Sequence, residues 1–392
     1  MAKSGPAPGA KGARGQDSSW VVKTSRIAAD ERQLQVDDSE QRIPPARLHQ
    51  FIAAVFEKLG VSAENAALAA DSLLIADLRG VTSHGVARLS MYVGQIQTGA
   101  IDPRAILTTI RETAATGVYD AANGLALALA PQAMDHCIEK ALATGIGMVT
   151  VSNSTHFGIA GAYAIQAARR GLGAIAMTNA GPLVTPTGGR TPMLGTNPIA
   201  FAVPTGPENP PFVFDMATSA VAYGKIENAR RANKPLAPGL ALDERGFATT
   251  DPHSARSLLP LGGEQATSGY KGYGLAVLVD ILCGPLAGAL WGTHLASVQR
   301  IGNRAGLGHA FMTWRIDAFR DPDDFARELR QLLDELRSCP PAPGFEVTGV
   351  LAPGDPELAA TRDNEAHGIA LHPTVWAEME AISQQLGIRI EI

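Results

Sequence analysis

Residues 149–171, VTVSNSTHFGIAGAYAIQAARRG, read as a strand that turns through glycines into a helix, the usual place for a dinucleotide phosphate. The spacing, however, departs from the usual fingerprint. A dinucleotide-binding βαβ unit requires G-x-G-x-x-G, so that backbone can approach the pyrophosphate, and an acidic residue near the end of the next strand to read the ribose. This turn offers only Gly158 and Gly161, the following strand-like run GAIAMTN ends in Asn179, and G-x-G-x-x-G occurs nowhere in the chain. A standard Rossmann domain is therefore ruled out as the frame. The helix start near Gly158 still presents unpaired N–H groups and partial positive charge to an anion. Taken alone, the segment leaves three readings open: an anion-binding loop, a catalytic turn around His156, or a plain capped strand-to-helix connection.

The chain around it is long enough, at 392 residues, for two or three subdomains with a substantial core. Residues 1–43 are set apart by a Gly-, Ala-, Pro- and Ser-rich beginning that cannot bury enough apolar surface to order itself. They are expected to be a disordered extension or a leader, and their modest basic excess leaves an organelle-targeting reading open. Residues 44–105 follow helical periodicity, with a first helix stopped at Gly60, a second capped by Ser62 and running through Arg79, and a third from Val86 to about Thr98. Residues 106–319 alternate short apolar runs with glycine and proline turns, which predicts a mixed α/β core with helices near 130–144, 158–170 and 218–232 and a hairpin in ALDERGFATT. Helices within 320–390 are expected to join the N-terminal helical part; one carries Phe325, Leu329, Leu332, Leu333 and Leu336 on a single face.

Several function classes fall away. A formal charge of -5 argues against a nucleic-acid binder. The apolar run 272–292 contains Asp280 and Pro285, which fits a buried helix bent or ended near the proline better than a membrane span. Three scattered cysteines suit a reducing, cytoplasmic setting and give no disulfide framework. The nine histidines form no metal-binding motif, and no G-x-S-x-G elbow is present.

Five segments remain as candidates for chemistry. In DLRGVTSHGVARLSMY, Ser83 and His84 lie at a turn, and Arg88 follows four residues later, where a helix would place it on the same face as His84. A guanidinium for a carboxylate and an imidazole for the adjacent oxygen suit a 2-oxo or 2-hydroxy acid. The others are the His156 turn, the glycine-rich PTGGRTPMLGTNPIAFAVP, the strand end FVFDMATS with Asp215, and SGYKGYG with Lys271 in a glycine-flanked turn. Each also has a structural reading, as a cap, a turn or a solvated face.

In this order, SHGVAR, STHFGIAGAYA, PTGG with LGTNPIAFAVP, FDMATS, GYKGYGLAVLVDIL and PAPGFEVTGVLAPGDPE resemble the type 2 malate/L-lactate dehydrogenase family, which includes ureidoglycolate and sulfolactate dehydrogenases and Δ1-piperideine-2-carboxylate reductases. The resemblance spans about residues 44–372. It implies an α/β fold of the L-sulfolactate dehydrogenase type: a non-Rossmann mixed sheet that binds NAD or NADP, with helical N- and C-terminal regions and a homodimeric assembly. It further implies hydride transfer between nicotinamide and C2 of a small carboxylic acid, at C=O or, in the alternative, at C=N of a cyclic imino acid. A non-catalytic NAD(P)-binding protein is the third reading. Matched residue by residue, Ser83, His84 and Arg88 fall on the substrate side, and His156 on the proton donor of some members. Phe157, Gly158, Ile159, Asp215, Met216, Ala217, Lys271, Gly272, Pro353, Gly354 and Asp355 fall on cofactor-binding stretches. Ala180 replaces a cofactor-contacting serine of a relative, so that only its backbone can serve. Asp215 is also expected to orient a histidine or join the proton relay.

Overall fold

The computed structural model describes residues 41–298 and 300–391. Of the extension expected at 1–43, residues 1–40 lie outside the described residues, while Gln41–Ile43 form strand β1. The helices are α1 (Pro45–Lys58), α2 (Ala63–Leu78), α3 (Leu89–Gln97), α4 (Ala126–Thr144), α5 (Gly161–Ala168), α6 (Tyr223–Ala232), α7 (Tyr270–Cys283), α8 (Pro322–Arg337), α9 (Asp355–His367) and α10 (Pro373–Leu386). Ser62 caps α2 as its sequence position implies, accepting the Asn65 N–H at 3.3 Å. The third helix starts later than its periodicity suggests, because Val86–Arg88 form a 3-10 turn before α3.

The central sheet contains β2 (Thr108–Glu112), β3 (Thr116–Asp120), β4 (Ile146–Ser154), β5 (Leu172–Thr178), β6 (Ile199–Val203), β7 (Phe212–Met216) and β11 (Leu307–Arg315). Their order is β2-β3-β4-β11-β5-β6-β7. Strands β3 and β4 run parallel across α4, and the other neighbours are antiparallel. This is a mixed sheet with no doubly wound half, as the missing fingerprint requires. Strand β11 arrives from far along the chain and separates β4 from β5, which sets His309 opposite Thr178 in the sheet interior. Three short strands, β8 (Ala241–Leu242), β9 (Ala248–Thr249) and β10 (Ser257–Leu258), form a small second sheet whose β8–β9 hairpin is the ALDERGFATT segment. Strand β12 (Ile369–Leu371) pairs with β1.

Three cores result. The first, between the sheet and helices α4 and α5, buries Met134, Val149, Phe157, Tyr163 and Phe311. The second joins α1–α3 to α10 and β12 through Phe51, Phe56, Leu73, Tyr92, Leu371 and Met379. The third packs Val184, Ile226, Leu258 and Ala276 beside the small sheet. The C-terminal helices divide between them. Helices α9 and α10 join the N-terminal layer, and Asn364 Nδ2 donates to the carbonyls of Asp77 and Leu78 at 3.0 Å each. Helix α8 instead docks on the turn after β6, where Arg330 bonds the Thr205 carbonyl; its stripe buries Leu333 but leaves Leu332 and Leu336 exposed.

Two further expectations are corrected. Helix α6 begins at Tyr223 rather than 218, because the Thr218 hydroxyl is engaged by the Thr196 and Asn197 carbonyls and Ser219 bridges to Pro260. Helix α7 ends at Cys283, before Pro285, but it is buried on one side only: Leu278 and Ile281 are exposed. No described helix is long and apolar enough to cross a membrane.

Candidate active site

The turn between α2 and α3 is built on a buried carboxylate. Asp77, near the end of α2, accepts the Val86 N–H at 2.7 Å. A Cβ on Gly85 would fall 1.9 Å from Asp77 Oδ1, so only glycine lets the chain pass this close. Burial pushes the Asp77 carboxyl up to about 7, against the Val86 hydrogen bond that lowers it. The turn itself is two 3-10 segments broken at Gly85, so His84 and Arg88 are not joined by the α-helical i,i+4 relation expected of them. A different bond relates them: Arg88 Nε donates to the Ser83 carbonyl at 2.7 Å, and Ser83 Oγ pairs with His84 Nδ1 at 2.9 Å. Ser83 thus holds the imidazole instead of capping a helix, and both terminal nitrogens of Arg88 have no partner among the described residues.

His156 meets this turn from the sheet side. Its ring stacks on His84 with centroids 5.5 Å apart and planes 25° apart. Tyr92 Oη, fully buried on α3, lies 2.6 Å from His156 Nδ1. Nε2 of each histidine is without a partner among the described residues. Burial holds His84 down at about 4, with the Arg88 charge adding to the effect. Burial, then His84, Arg88 and His309, pushes His156 well below the ordinary histidine range. Both rings are therefore neutral at pH 7 in the free protein. Beside His156 is a shallow cleft, partly open to solvent and with enclosed room for about one water, lined by Tyr92, Gln95, Met91, Ile101, Val298 and Asn303.

The segment behind His156 is structural in its side chains. The Phe157 ring, expected on the cofactor side, is buried against His309 with centroids 4.6 Å apart and planes 11° apart, and its carbonyl accepts the Tyr163 hydroxyl. His309 bridges Thr178 Oγ1 at 2.9 Å and Ser154 Oγ at 2.7 Å, and burial lowers it to about 3. Ile159 is buried, and Gly158 takes a φ of +79° against Leu127. The helix begins only at Gly161, and its first N–H goes to Asp215 Oδ2 at 2.7 Å. The carboxylate at the end of β7 therefore caps α5 across the sheet, not the helix that follows it in sequence. Neither histidine is its hydrogen-bond partner, since hydroxyls engage both Nδ1 atoms; the relay role expected for Asp215 has no bond to support it.

The other expected cofactor positions fall into two groups. Pro353, Gly354 and Asp355 come to β7: Gly354 has φ +92°, and a Cβ there would lie 2.4 Å from the Val213 carbonyl. Asp355 is held by Arg337 in a two-point ion pair of 2.9 and 2.7 Å. Glu357, Arg79 and Asp215 are close enough to act on one another's charge, and Asp215, solvent-accessible yet crowded by neighbours, is raised to about 6 chiefly by desolvation. Met216 and Ala217 continue from it, partly exposed. Away from β7, Lys271 is exposed at the start of α7, and Gly272 packs where a Cβ would strike the Leu261 carbonyl at 2.2 Å. The Ala180 N–H, the group left to serve there, already donates to Asn197 Oδ1 at 3.1 Å.

Comparison with known proteins places this geometry. The family model described as malate/L-lactate dehydrogenase matches residues 43–380. The chain belongs to the malate/L-lactate dehydrogenase family. It is 40% identical to malate dehydrogenase of Pyrococcus horikoshii over 357 residues, which covers 90% of this chain and 98% of the relative. Among solved structures it is similar to that of malate dehydrogenase from Pyrococcus horikoshii OT3, with a TM-score of 0.83, 37% identity and 91% and 98% of the two chains covered. It is also similar to Δ1-piperideine-2-carboxylate reductase from Pseudomonas syringae pvar. tomato, with a TM-score of 0.73, 27% identity and 87% and 99% covered.

As a malate/L-lactate dehydrogenase family member the chain is an oxidoreductase that uses a nicotinamide cofactor, and the residues around Asp215 suit one. Asp215 Oδ2 is engaged by Gly161, while Oδ1 has no partner among the described residues, and a free carboxylate oxygen is a fitting acceptor for a ribose hydroxyl. Sequence reasoning did not single out Asp77, Tyr92, Gln95 or His309. Tyr92 had a usable signal, because it lies four residues after Arg88 on the same helix face. Replacing Tyr92 with Phe removes the partner of His156 Nδ1 inside a buried site. The expected result is a fall in kcat of about tenfold to a hundredfold with the fold retained, measured by steady-state kinetics beside thermal unfolding; an unchanged kcat would remove Tyr92 from the site.

Proposed function

We propose that the chain catalyses reversible NAD(P)-linked oxidation of a small 2-hydroxy acid to the 2-oxo acid. The observation that carries this reading is the stacked pair of neutral imidazoles, each with a free Nε2, beside a guanidinium whose two terminal nitrogens are free. Arg88 grips the substrate carboxylate through those two nitrogens, a planar match that a lysine does not offer. His156 is the general base at the C2 hydroxyl, in the tautomer whose Nδ1–H is donated to Tyr92 Oη at 2.6 Å, which keeps the short contact and gives up the 3.4 Å one from the Gly158 N–H. That tautomer leaves the Nε2 lone pair for the substrate proton, and Tyr92 continues to hold Nδ1–H once the ring is cationic. The bound nicotinamide supplies the other half of the chemistry by taking hydride from C2, or giving it in reduction. In the reductive direction the bound carboxylate offsets the Arg88 charge, which is one of the causes that depress His156. His84, held by Ser83, lies against the same ring and is the alternative acid–base group.

On the cofactor side, Asp215 with Met216 and Ala217, the Pro353–Asp355 turn and the Lys271 cation are the groups proposed to hold NAD or NADP. The similarity to a Δ1-piperideine-2-carboxylate reductase supports a second reading, reduction of a cyclic imino acid by the same residues. Pyruvate, oxaloacetate and Δ1-piperideine-2-carboxylate, each assayed with NADH and NADPH, separate the two readings and fix the cofactor. The expected result is turnover of a 2-oxo acid that falls about a hundredfold or more in His156→Ala. Turnover of none of the three would contradict both readings, and full activity of His156→Ala would move the proton chemistry to His84.

We also propose that the working form is a homodimer. Leu278 and Ile281 on α7, with Leu286, Leu290 and Trp291 shortly after it in sequence, each expose between 44 and 53% of their surface, apolar area that a second subunit would cover. Sedimentation at micromolar concentration is expected to give twice the chain mass; a fully active monomer would contradict the proposal.

A further inference from the structure

Helix α3 holds more than the catalytic histidine. One turn beyond Tyr92, Gln95 is buried with 5% of its surface exposed, and its carboxamide is fully engaged by a single distant loop. Nε2 donates to the carbonyls of Val298 at 3.0 Å and Arg300 at 3.2 Å, while Oε1 accepts the Gly302 N–H at 3.3 Å. The same loop rests on the preceding residue, since a Cβ on Gly94 would lie 3.2 Å from Ile301 Cδ1. This loop lines the His156 cleft through Val298, Asn303 and Ala305, and Met91, Ala100 and Ile101 line it too. The Gln95 backbone carbonyl in turn accepts the N–H groups of Ala100 and Ile101 at 3.0 and 3.1 Å, so one residue braces two segments of the lining.

We infer that Gln95 is a specificity-positioning residue, which sets the width of the cleft beside His156 and thereby selects the substituent carried on C2 of the substrate. The inference rests on the proposed 2-hydroxy-acid chemistry and adds to it the residue that sorts one such acid from another. Arg88 and His156 address the carboxylate and the C2 oxygen, groups common to every member of the class, so they cannot discriminate among them. The remaining substituent is read by the walls of the cleft. They are apolar at Met91, Ile101, Val298 and Ala305, with Asn303 as a polar group. In such a pocket one methylene is worth about tenfold to two-hundredfold in kcat/KM, provided the wall keeps its place. Without the Gln95 carboxamide, two carbonyls and one N–H of the loop lose their partner, and the loop is free to move to water.

The test uses the full-length chain and its Gln95→Ala variant with pyruvate, 2-oxobutanoate and oxaloacetate under the better nicotinamide cofactor. Gln95→Ala is expected to shift the kcat/KM ratios among the three acids by about tenfold or more. The loss should fall in KM more than in kcat, with cofactor affinity retained and amide exchange at 300–302 accelerated. Ile301→Ala, which loosens the same loop from its other contact, is expected to shift the ratios in the same sense, and it decides the matter if Gln95→Ala does not fold. A folded Gln95→Ala, or in its place Ile301→Ala, that lowers all three acids by one common factor would overturn the inference. A parent protein inactive on every 2-oxo acid would instead sink the functional reading on which it rests.

Discussion

The bond between Tyr92 Oη and His156 Nδ1, 2.6 Å long, is where two separately packed halves of the molecule become one site. Tyr92 belongs to the core of α1–α3 and α10, whereas His156 follows directly from β4 of the central sheet. Each end is fixed by its own packing. Tyr92 is fully buried and meets Phe56 edge-on at 6.3 Å, and the residue after His156 is stacked on His309 in the sheet interior. A rigid aromatic with a polar tip is suited to this junction, because it contributes apolar area to one core and a hydrogen bond to the other. Once the two halves meet, Tyr92 bonds the His156 imidazole, the Arg88 charge acts on it, and Gln95, a turn beyond Tyr92, reaches the loop that lines the cleft.

Electrostatics follows from the same junction. Two histidines and an arginine share a partly buried corner in which further positive charge is disfavoured, so both rings are held in the neutral form that the proposed proton transfer needs. Carboxylates are kept apart from them: Asp77 engages backbone beneath the turn, and Asp215 caps α5 on the cofactor side. Each holds a backbone N–H through one oxygen, and desolvation raises both toward neutrality. The arrangement separates the positioning carboxylates from the imidazoles proposed to react, and it leaves both terminal nitrogens of Arg88 without a partner among the described residues.

How much of this was legible in the sequence depended on whether a feature was local. Helical periodicity locates α1, α2 and α8, Ser62 caps α2 where its position implies, and the wrong glycine spacing excludes a doubly wound sheet. His84, Arg88 and His156 were named from short motifs and do come together, although the first two do so through 3-10 turns and a Ser83 carbonyl instead of a shared α-helical face. What stayed hidden was long-range. Nothing near position 215 shows that Asp215 caps a helix 54 residues earlier in the chain, and nothing near Gln95 points to a loop 203 residues away. Phe157 matches a cofactor-contacting stretch of the family, but its ring stacks on His309, and the sheet register that places His309 there is set by β11, inserted from the far end of the core.

The central claim is that His156 is a neutral imidazole whose Nδ1–H is held by Tyr92, ready to accept a proton at Nε2. Nitrogen-15 NMR of histidine-labelled protein, with the His156 signals assigned by their loss in His156→Gln, measures both the charge and the tautomer. The account predicts a neutral ring at pH 7 that is protonated on Nδ1 and titrates below the ordinary histidine value of about 6.5. A cationic His156 at pH 7, or a neutral ring carrying its proton on Nε2, would contradict it.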